Sequence, residues 1–413
     1  MSKVPAGWVN TKLQNIAKIK SGSTPLRAKG TRYFTQNGTP WVKTLDLNNS
    51  EIHITDEEIT DLALKETSCT LFPANTVLVA MYGGFNQIGR TGLITKPSAS
   101  NQALSGLILN EEIADPKYVL NYLNGNVSKW KEFAASSRKD PNITRNDVCN
   151  FPILLPPLPE QTKIAQILST WDKAIATTEQ LIGNSQQQKK ALMQTLLTGK
   201  KRLPGFEGEW SNTTLEDCCY INPRKAPRPE NGLVSFISMD SVSESAKLLK
   251  TEVRNYDDVE KGFTSFSIRD VLVAKITPCF ENGKGAYLDK LINEIGFGST
   301  EFHVLRSKVN TSSKFIYFIT NTDEFRVRGE ANMQGSAGQK RVTTDYLKLY
   351  PVKLPPLPEQ QKIAAVLTAA DNEIDLLQKK LAFLKQEKAA LMQQLLTGKR
   401  RVKINTTEEC MDA

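Results

Sequence analysis

LPPLPEQTKIAQILSTWDKAIATTEQLIGNSQQQKKALMQTLLTGK, from Leu155 to Lys200, returns 199 positions later as LPPLPEQQKIAAVLTAADNEIDLLQKKLAFLKQEKAALMQQLLTGK, from Leu354 to Lys399. Laid over each other without a gap, the copies agree at 24 of 46 positions, so the chain carries an internal duplication. Each copy reads as one long helix. Pro159 and Pro358 suit a first helical turn, and Glu160 and Glu359 follow where the helix dipole favours an anion. Gly199 and Gly398 stand where a left-handed cap is wanted. The roughly forty proline-free residues between them make about 60 Å of helix at ~1.5 Å per residue.

Apolar residues in both copies step by four and three without a slip, the spacing of a left-handed coiled-coil seam. The first seam is Ile164, Leu168, Trp171, Ile175, Thr178, Ile182, Ser185, Lys189, Leu192 and Leu196. The second is Ile363, Leu367, Ala370, Ile374, Leu377, Leu381, Leu384, Lys388, Leu391 and Leu395. An amphipathic helix lying on a globular core is usually shorter and drifts toward a 3.6-residue period. Lys189 and Lys388 interrupt matching places, where a polar seam residue fixes register or a lysine stem snorkels.

Residues Arg202 to Lys353 join the end of one helix to the start of the other. A compact domain of that size keeps its termini close together, which favours antiparallel packing over a parallel pair. The expected fold class is α/β: two mixed α/β domains held apart by two long antiparallel coiled-coil helices, with pseudo-twofold internal duplication. The expected boundaries are a first domain at 1–154, a spacer helix at 155–202, a second domain at 203–353, a second spacer helix at 354–401, and a tail at 402–413.

The duplication reaches beyond the helices. Trp8 and Trp210 each open a half, and Val77-Leu78-Val79-Ala80 recurs as Val271-Leu272-Val273-Ala274, a short apolar strand. Gly89-Arg90 matches Gly283-Lys284, and Lys117-Tyr118-Val119 resembles Lys314-Phe315-Ile316 at the start of an amphipathic helix. Phe151-Pro152 resembles Tyr350-Pro351 just before the proline run. Between these anchors the two halves share little.

A chain of 413 residues permits two to four domains. No signal-like apolar run opens it and no eighteen consecutive residues are apolar, so a cytoplasmic protein without a membrane partner is expected. Six cysteines without C-x-x-C spacing and only two histidines, His53 and His303, argue against a disulfide framework or a zinc site. Net charge is +9, which favours a polyanionic partner. Met1 to Leu45 holds eight lysines and arginines and no acid, whereas Asp46 to Glu66 holds seven acids; such segregation implies a basic surface on the first domain.

Two stretches read as exposed basic loops. Residues 21–43, just after Lys20, set Arg27, Lys29, Arg32 and Lys43 among Tyr33, Phe34 and Trp41, although Trp41 also suits a core. Residues 222–232 set Arg224, Lys225 and Arg228 among prolines. Arg138, Lys139 and Arg145 in one half, and Lys340 with Arg341 in the other, add paired cations near the domain ends. Arg90, Lys275 and Lys284 flank the repeated strand. This composition suits following a phosphate backbone, with arginines reaching guanine edges.

Covalent chemistry is hard to place. Gly84 to Thr91 mimics a phosphate loop, but Arg90 replaces the lysine and the following GLITKPS reads as strand and turn, not helix. Every Pro-Pro pair leads into a helix rather than an amine-binding loop, and Asp115-Pro116-Lys117 has a proline where a nuclease strand would be needed. No catalytic residue and no metal ligand is assigned.

The paired LPPLPEQ and LLTGK motifs resemble those of the specificity subunits of type I restriction-modification systems, over nearly the whole chain. The resemblance implies two variable target-recognition domains that read double-stranded DNA from loops. It also implies two methyltransferase subunits recruited along the helices and two restriction subunits in the full complex. S-adenosylmethionine, ATP and magnesium are then expected on those partners, and no cofactor on this chain. A bipartite site is expected, with half-site centres about one DNA turn, ~34 Å, apart. The alternative is a coiled-coil adaptor that binds only proteins.

Overall fold

The computed structural model describes residues 4–84, 86–134, 142–336 and 338–404. The chain divides into two compact units, Met1–Glu179 with Lys379–Ala413, and Gln180–Gln378. The helices of the repeat are Leu158–Leu196 and Leu357–Leu395, 39 residues each. They begin three residues inside the repeat because Leu155 and Leu354 end β-strands; a residue before proline is pushed to extended backbone. Gly199 and Gly398 end the helical segments at φ of 71° and 69°, the left-handed conformation expected of them.

Every seam position is buried or half-buried. Within the first unit Asp172 pairs with Lys388 and Glu179 with Lys385. Within the second, Ser185 meets Glu373 and Lys189 pairs with Asp371 at 2.6 Å. Partner numbers fall along one helix as they rise along the other, so the helices pack antiparallel in each unit. The seam lysines therefore do not snorkel. Each meets an aspartate of the opposite helix, Lys388 with Asp172 and Lys189 with Asp371, and the two pairs are copies of one another.

In the first unit, strand Val9–Lys12 pairs antiparallel with Pro152–Leu155. A five-stranded sheet runs in the order Ala17–Ser21, Leu104–Leu109, Val77–Ala80, Thr91–Ile94, Glu51–Ile52. A smaller sheet is built from Phe34–Thr35, Glu58–Ile59, Thr39–Val42 and Ala99–Ser100. Trp8, Val79, Tyr118, Trp130 and Phe151 pack with Ile164, Leu168 and Leu395 of the long helices in one core. Each such aliphatic side chain contributes about 1.5–3 kcal/mol.

The second unit repeats the plan. Strand Ser211–Thr214 pairs with Pro351–Leu354, and a sheet runs Cys219–Ile221, Phe302–Ser307, Val271–Ala274, Gly285–Tyr287. Its second sheet, Glu252–Asn255, Leu233–Ile237, Ile295–Gly298 and Thr264–Ser267, has longer strands than its counterpart. Phe315, Ile316, Phe318 and Phe325 pack against Leu196, Ile363 and Leu367.

The Glu-Gln of LPPLPEQ does more than meet a helix dipole. Glu160, whose side chain is 1% exposed, accepts hydrogen bonds from Trp8 Nε1 (3.1 Å) and from Arg401 Nε and Nη2 (2.7 and 2.8 Å). Glu359, fully buried, accepts from Trp210 Nε1 (3.2 Å) and from Arg202 Nε and Nη2 (2.6 and 2.7 Å). Gln161 donates to Pro156 O and Ile113 O and accepts from the amide of Asp115, the cap of helix Pro116–Gly125. Gln360 does the same to Pro355 O, Asn310 O and the amide of Ser312, the cap of helix Ser313–Thr320. Each pair thus bolts one α/β domain to the first turn of the long helix that follows it in sequence.

Candidate nucleic-acid interface

The fold brings three cations of the first 45 residues onto acids of the block that follows. Arg27, on the short turn Arg27–Arg32, stacks 4.4 Å over Phe34 and 5.0 Å over Trp41 and pairs with Glu57. Arg32 pairs with Glu66, which also accepts from Tyr33 Oη at 3.1 Å. Lys43 bridges Asp56 and Glu57. Part of the acidic block thus lies against part of the basic one: Arg27, Arg32 and Lys43 are paired, while Lys12, Lys18 and Lys29 are exposed. Arg32 holds the Glu66 carboxyl below its usual range, and Arg27 does the same to Glu57. Tyr33 and Trp41 are buried, and Trp41 Nε1 donates to Ser23 O.

Lys29 is exposed, and Lys20 is half-buried on strand Ala17–Ser21. Arg145, exposed on helix Arg145–Asn150, donates to Ile19 O at 2.6 Å, which places it beside Lys20. Arg90 is half-buried and donates to Gln87 Oε1 (2.7 Å) and Leu47 O. Arg138 and Lys139 lie outside the described residues. The strand Thr91–Ile94 follows Arg90 where a phosphate loop would need a helix, as the sequence predicts.

In the second unit three distant stretches converge. Thr277 N donates to Lys340 O (2.9 Å), Val342 N to Lys275 O (2.8 Å), and Lys275 N to Glu301 O (2.9 Å). Lys275, Lys340 and Arg341 therefore sit together around Glu301, whose carboxylate takes Arg341 at 2.9 and 3.0 Å. Arg341 holds that carboxyl below its usual range. Beneath them His303, 4% exposed, donates from Nε2 to Val342 O (3.0 Å), while its Nδ1 faces Asn222 Nδ2 (3.2 Å). That arrangement suits a neutral ring, and burial pushes the imidazole pKa down. Glu301 and His303 carry no motif, and only the strand pairing that joins them to residues 275 and 341 marks them out.

Arg224, Lys225 and Arg228 are exposed on residues 222–232. Arg228 pairs with Asp257 at 3.0 Å, and Lys225 donates to Glu260 O. Lys284 is half-buried and donates to Met239 O at 3.2 Å.

Burial separates two kinds of arginine. An exposed ion pair is weak because water screens it, so Arg27, Arg32, Arg228 and Arg341 can leave their carboxylates for a phosphate or a guanine edge. Arg202 and Arg401 hold carboxylates that are themselves buried, and removing an arginine would leave a buried charge short of partners, at a cost of about 3–5 kcal/mol or somewhat less where water can enter. The first group is available to a ligand and the second is structural.

The sequence profile of the type I restriction modification DNA specificity domain matches twice, at residues 5–184 and 207–386. The EcoAI type I restriction enzyme specificity subunit of Escherichia coli is 39% identical over 156 residues, which span 37% of this chain and 26% of that subunit. The MjaIX specificity subunit of Methanocaldococcus jannaschii is 22% identical over 442 residues, 97% of this chain and 95% of the other. A crystal structure of the type I restriction-modification S subunit from M. genitalium superposes with a TM-score of 0.60 at 15% identity, covering 95% of this chain and 98% of that one. With both repeats matched and the duplicated fold in place, the chain belongs to the family of type I restriction-modification DNA specificity proteins.

Proposed function

We propose that this chain is the DNA-reading, non-catalytic subunit of a type I restriction-modification enzyme, working in the cytoplasm on a bipartite, asymmetric double-stranded site. Each recognition domain reads one half-site, and the paired helices act as the spacer between them. Two methyltransferase subunits and two restriction subunits complete the assembly and carry S-adenosylmethionine, ATP and magnesium. The observation that carries this reading is the contrast between the Trp-Glu-Arg and Gln locks, repeated in both halves, and the basic loops, which differ between them. The frame is duplicated to the residue, while the surfaces that would meet DNA differ.

In the first domain Lys20, Arg27, Lys29, Arg32, Lys43, Arg90 and Arg145 supply the DNA contacts. In the second, Arg224, Lys225, Arg228, Lys275, Lys284, Lys340 and Arg341 do so. Arginines take base edges and lysines mostly phosphates. Replacing residues 1–154 with another member's domain and mapping methylated sites in the host tests the reading. One half of the recognised sequence should change while the other stays; an unchanged motif would refute it.

A further inference from the structure

A guanidinium lies under the turn that follows strand Val271–Ala274. Arg326, on helix Asp323–Ala331, donates from Nη1 to Phe280 O (3.1 Å) and from Nη2 to Gly283 O and Asn321 Oδ1 (3.4 Å each). Its central carbon sits 4.9 Å from the Phe280 ring centroid, and its buried Nε has no partner among the described residues. All its bonded partners are neutral. Burial pushes the guanidinium pKa down to about 10, which leaves it charged at neutral pH. A desolvated cation held by carbonyl dipoles and the rings of Phe280 and Phe325, with no anion, is an expensive way to fill space. What it supplies that a hydrophobe cannot is a planar fork gripping two carbonyls three residues apart.

The first unit braces the matching turn by other means. Gly89 and Gly283 both take positive φ, 76° and 82°. Trp130, on helix Val127–Ala134, lies so close to Gly89 that a Cβ there would fall 2.4 Å from its Cδ1. The two domains have diverged at most positions, yet each commits a large side chain from the same helix to this turn. In the second unit the turn is held from its other side as well. Asn282 donates to Glu244 Oε1 at 2.9 Å, and Lys247, three residues on, pairs with Asp375 of the second long helix.

We propose that Arg326 is a positioning residue for DNA recognition by the second domain. It holds the turn Phe280–Gly283, and with it Lys275 and Lys284 at either side, in the conformation that meets DNA. The proposal rests on the reading above that these lysines face the duplex. A turn ordered in advance does not have to be ordered on binding, so fidelity at that half-site depends on the grip.

Arg326→Met, Arg326→Lys and Asn282→Ala, each assembled with the methyltransferase subunits, provide the test. Hydrogen exchange across residues 275–284, thermal stability and methylation-site mapping are measured together. In Arg326→Met the turn should exchange at least tenfold faster while strand Phe302–Ser307 stays protected. Only the half-site of the second domain should relax. Arg326→Lys should recover part of the loss, since one ammonium reaches one carbonyl at a time, and Asn282→Ala should loosen the turn from its other side. Unchanged exchange in all three variants overturns the positioning role. Equal loss at both half-sites also overturns it, because that is a stability effect. Faster exchange with both half-sites intact overturns it through the reading beneath: the grip is real but the turn is not at the DNA.

Discussion

Replacing Arg401 with alanine removes both hydrogen bonds that its guanidinium gives to Glu160 and leaves that carboxylate with Trp8 Nε1 alone. The carboxylate is 1% exposed, whereas the Arg401 side chain is 45% exposed, so some water enters where the arginine was. The cost should therefore fall at the lower end of the ~3–5 kcal/mol typical of an orphaned buried charge. For a unit of roughly 200 residues, ~3 kcal/mol corresponds to a fall of about 6–12 °C in Tm. Glu160→Gln keeps an acceptor for Trp8 and buries no charge, so it should cost only about 1.5–3 kcal/mol, the loss of charge-assisted hydrogen bonds. The double variant Glu160→Gln, Arg401→Ala should cost no more than Glu160→Gln alone, a non-additivity of about 2–3 kcal/mol. Calorimetry of the four proteins, with hydrogen exchange of strand Val77–Ala80 reporting on the first unit, measures the cycle. Additive losses, or an Arg401→Ala cost below ~1 kcal/mol as for an exposed pair, would refute the argument that this lock is structural.

Three further outcomes follow from the same coordinates. His303 is held neutral with its pKa below 6.5, so the unfolded chain takes up its proton first; stability should be full above about pH 6.5 and decline as the pH falls. His303→Asn should lack that limb in a pH series of melting curves, while the limb from Glu57, Glu66 and Glu301, depressed carboxyls, should remain at lower pH. Gly183→Ala, in open space on the first long helix, should raise stability by up to about 1 kcal/mol, whereas Gly398→Ala should lower it, since φ is 69° and the added Cβ falls 2.3 Å from Pro5 Cγ. Calorimetry separates the two. DNA affinity of the assembled protein should fall steeply with log salt, and Lys340→Ala, at an exposed lysine assigned to a phosphate, should make that slope shallower by about one unit; a flat salt response would favour the protein-only adaptor.

The helices, their seam, their caps and the duplication were legible in the sequence because each rests on local periodicity or on a proline or glycine with one conformational use. The antiparallel direction was legible too, from the length of chain that joins the helices. What escaped were pairings between residues 150 to 240 positions apart. Glu160 looked like a first-turn anion, yet its partners are Trp8 and Arg401. The seam lysines read either as register-fixing residues or as snorkelling stems, and the aspartates that decide between the two stand on the other helix, Asp172 and Asp371. Closer pairings escaped as well: nothing in a linear reading joins Asp56, Glu57 and Glu66 to Lys43, Arg27 and Arg32.

That interleaving bears on how such a surface can be specific as well as cationic. A loop of free arginines would bind any duplex through its phosphates, with most of its affinity independent of sequence. On the reading that these arginines meet DNA, those held by Glu57, Glu66, Asp257 and Glu301 must first give up a weak, solvent-screened bond. A bidentate contact to guanine returns about 1–3 kcal/mol, enough to cover the exchange, while a lone screened phosphate returns less. The carboxylates also fix each guanidinium plane before the DNA arrives, as Phe34 and Trp41 do for Arg27. Glu57→Gln or Glu301→Gln should therefore raise affinity for duplexes of unrelated sequence and narrow the margin over the true site. Tighter discrimination in those variants would show that the acids do not serve specificity.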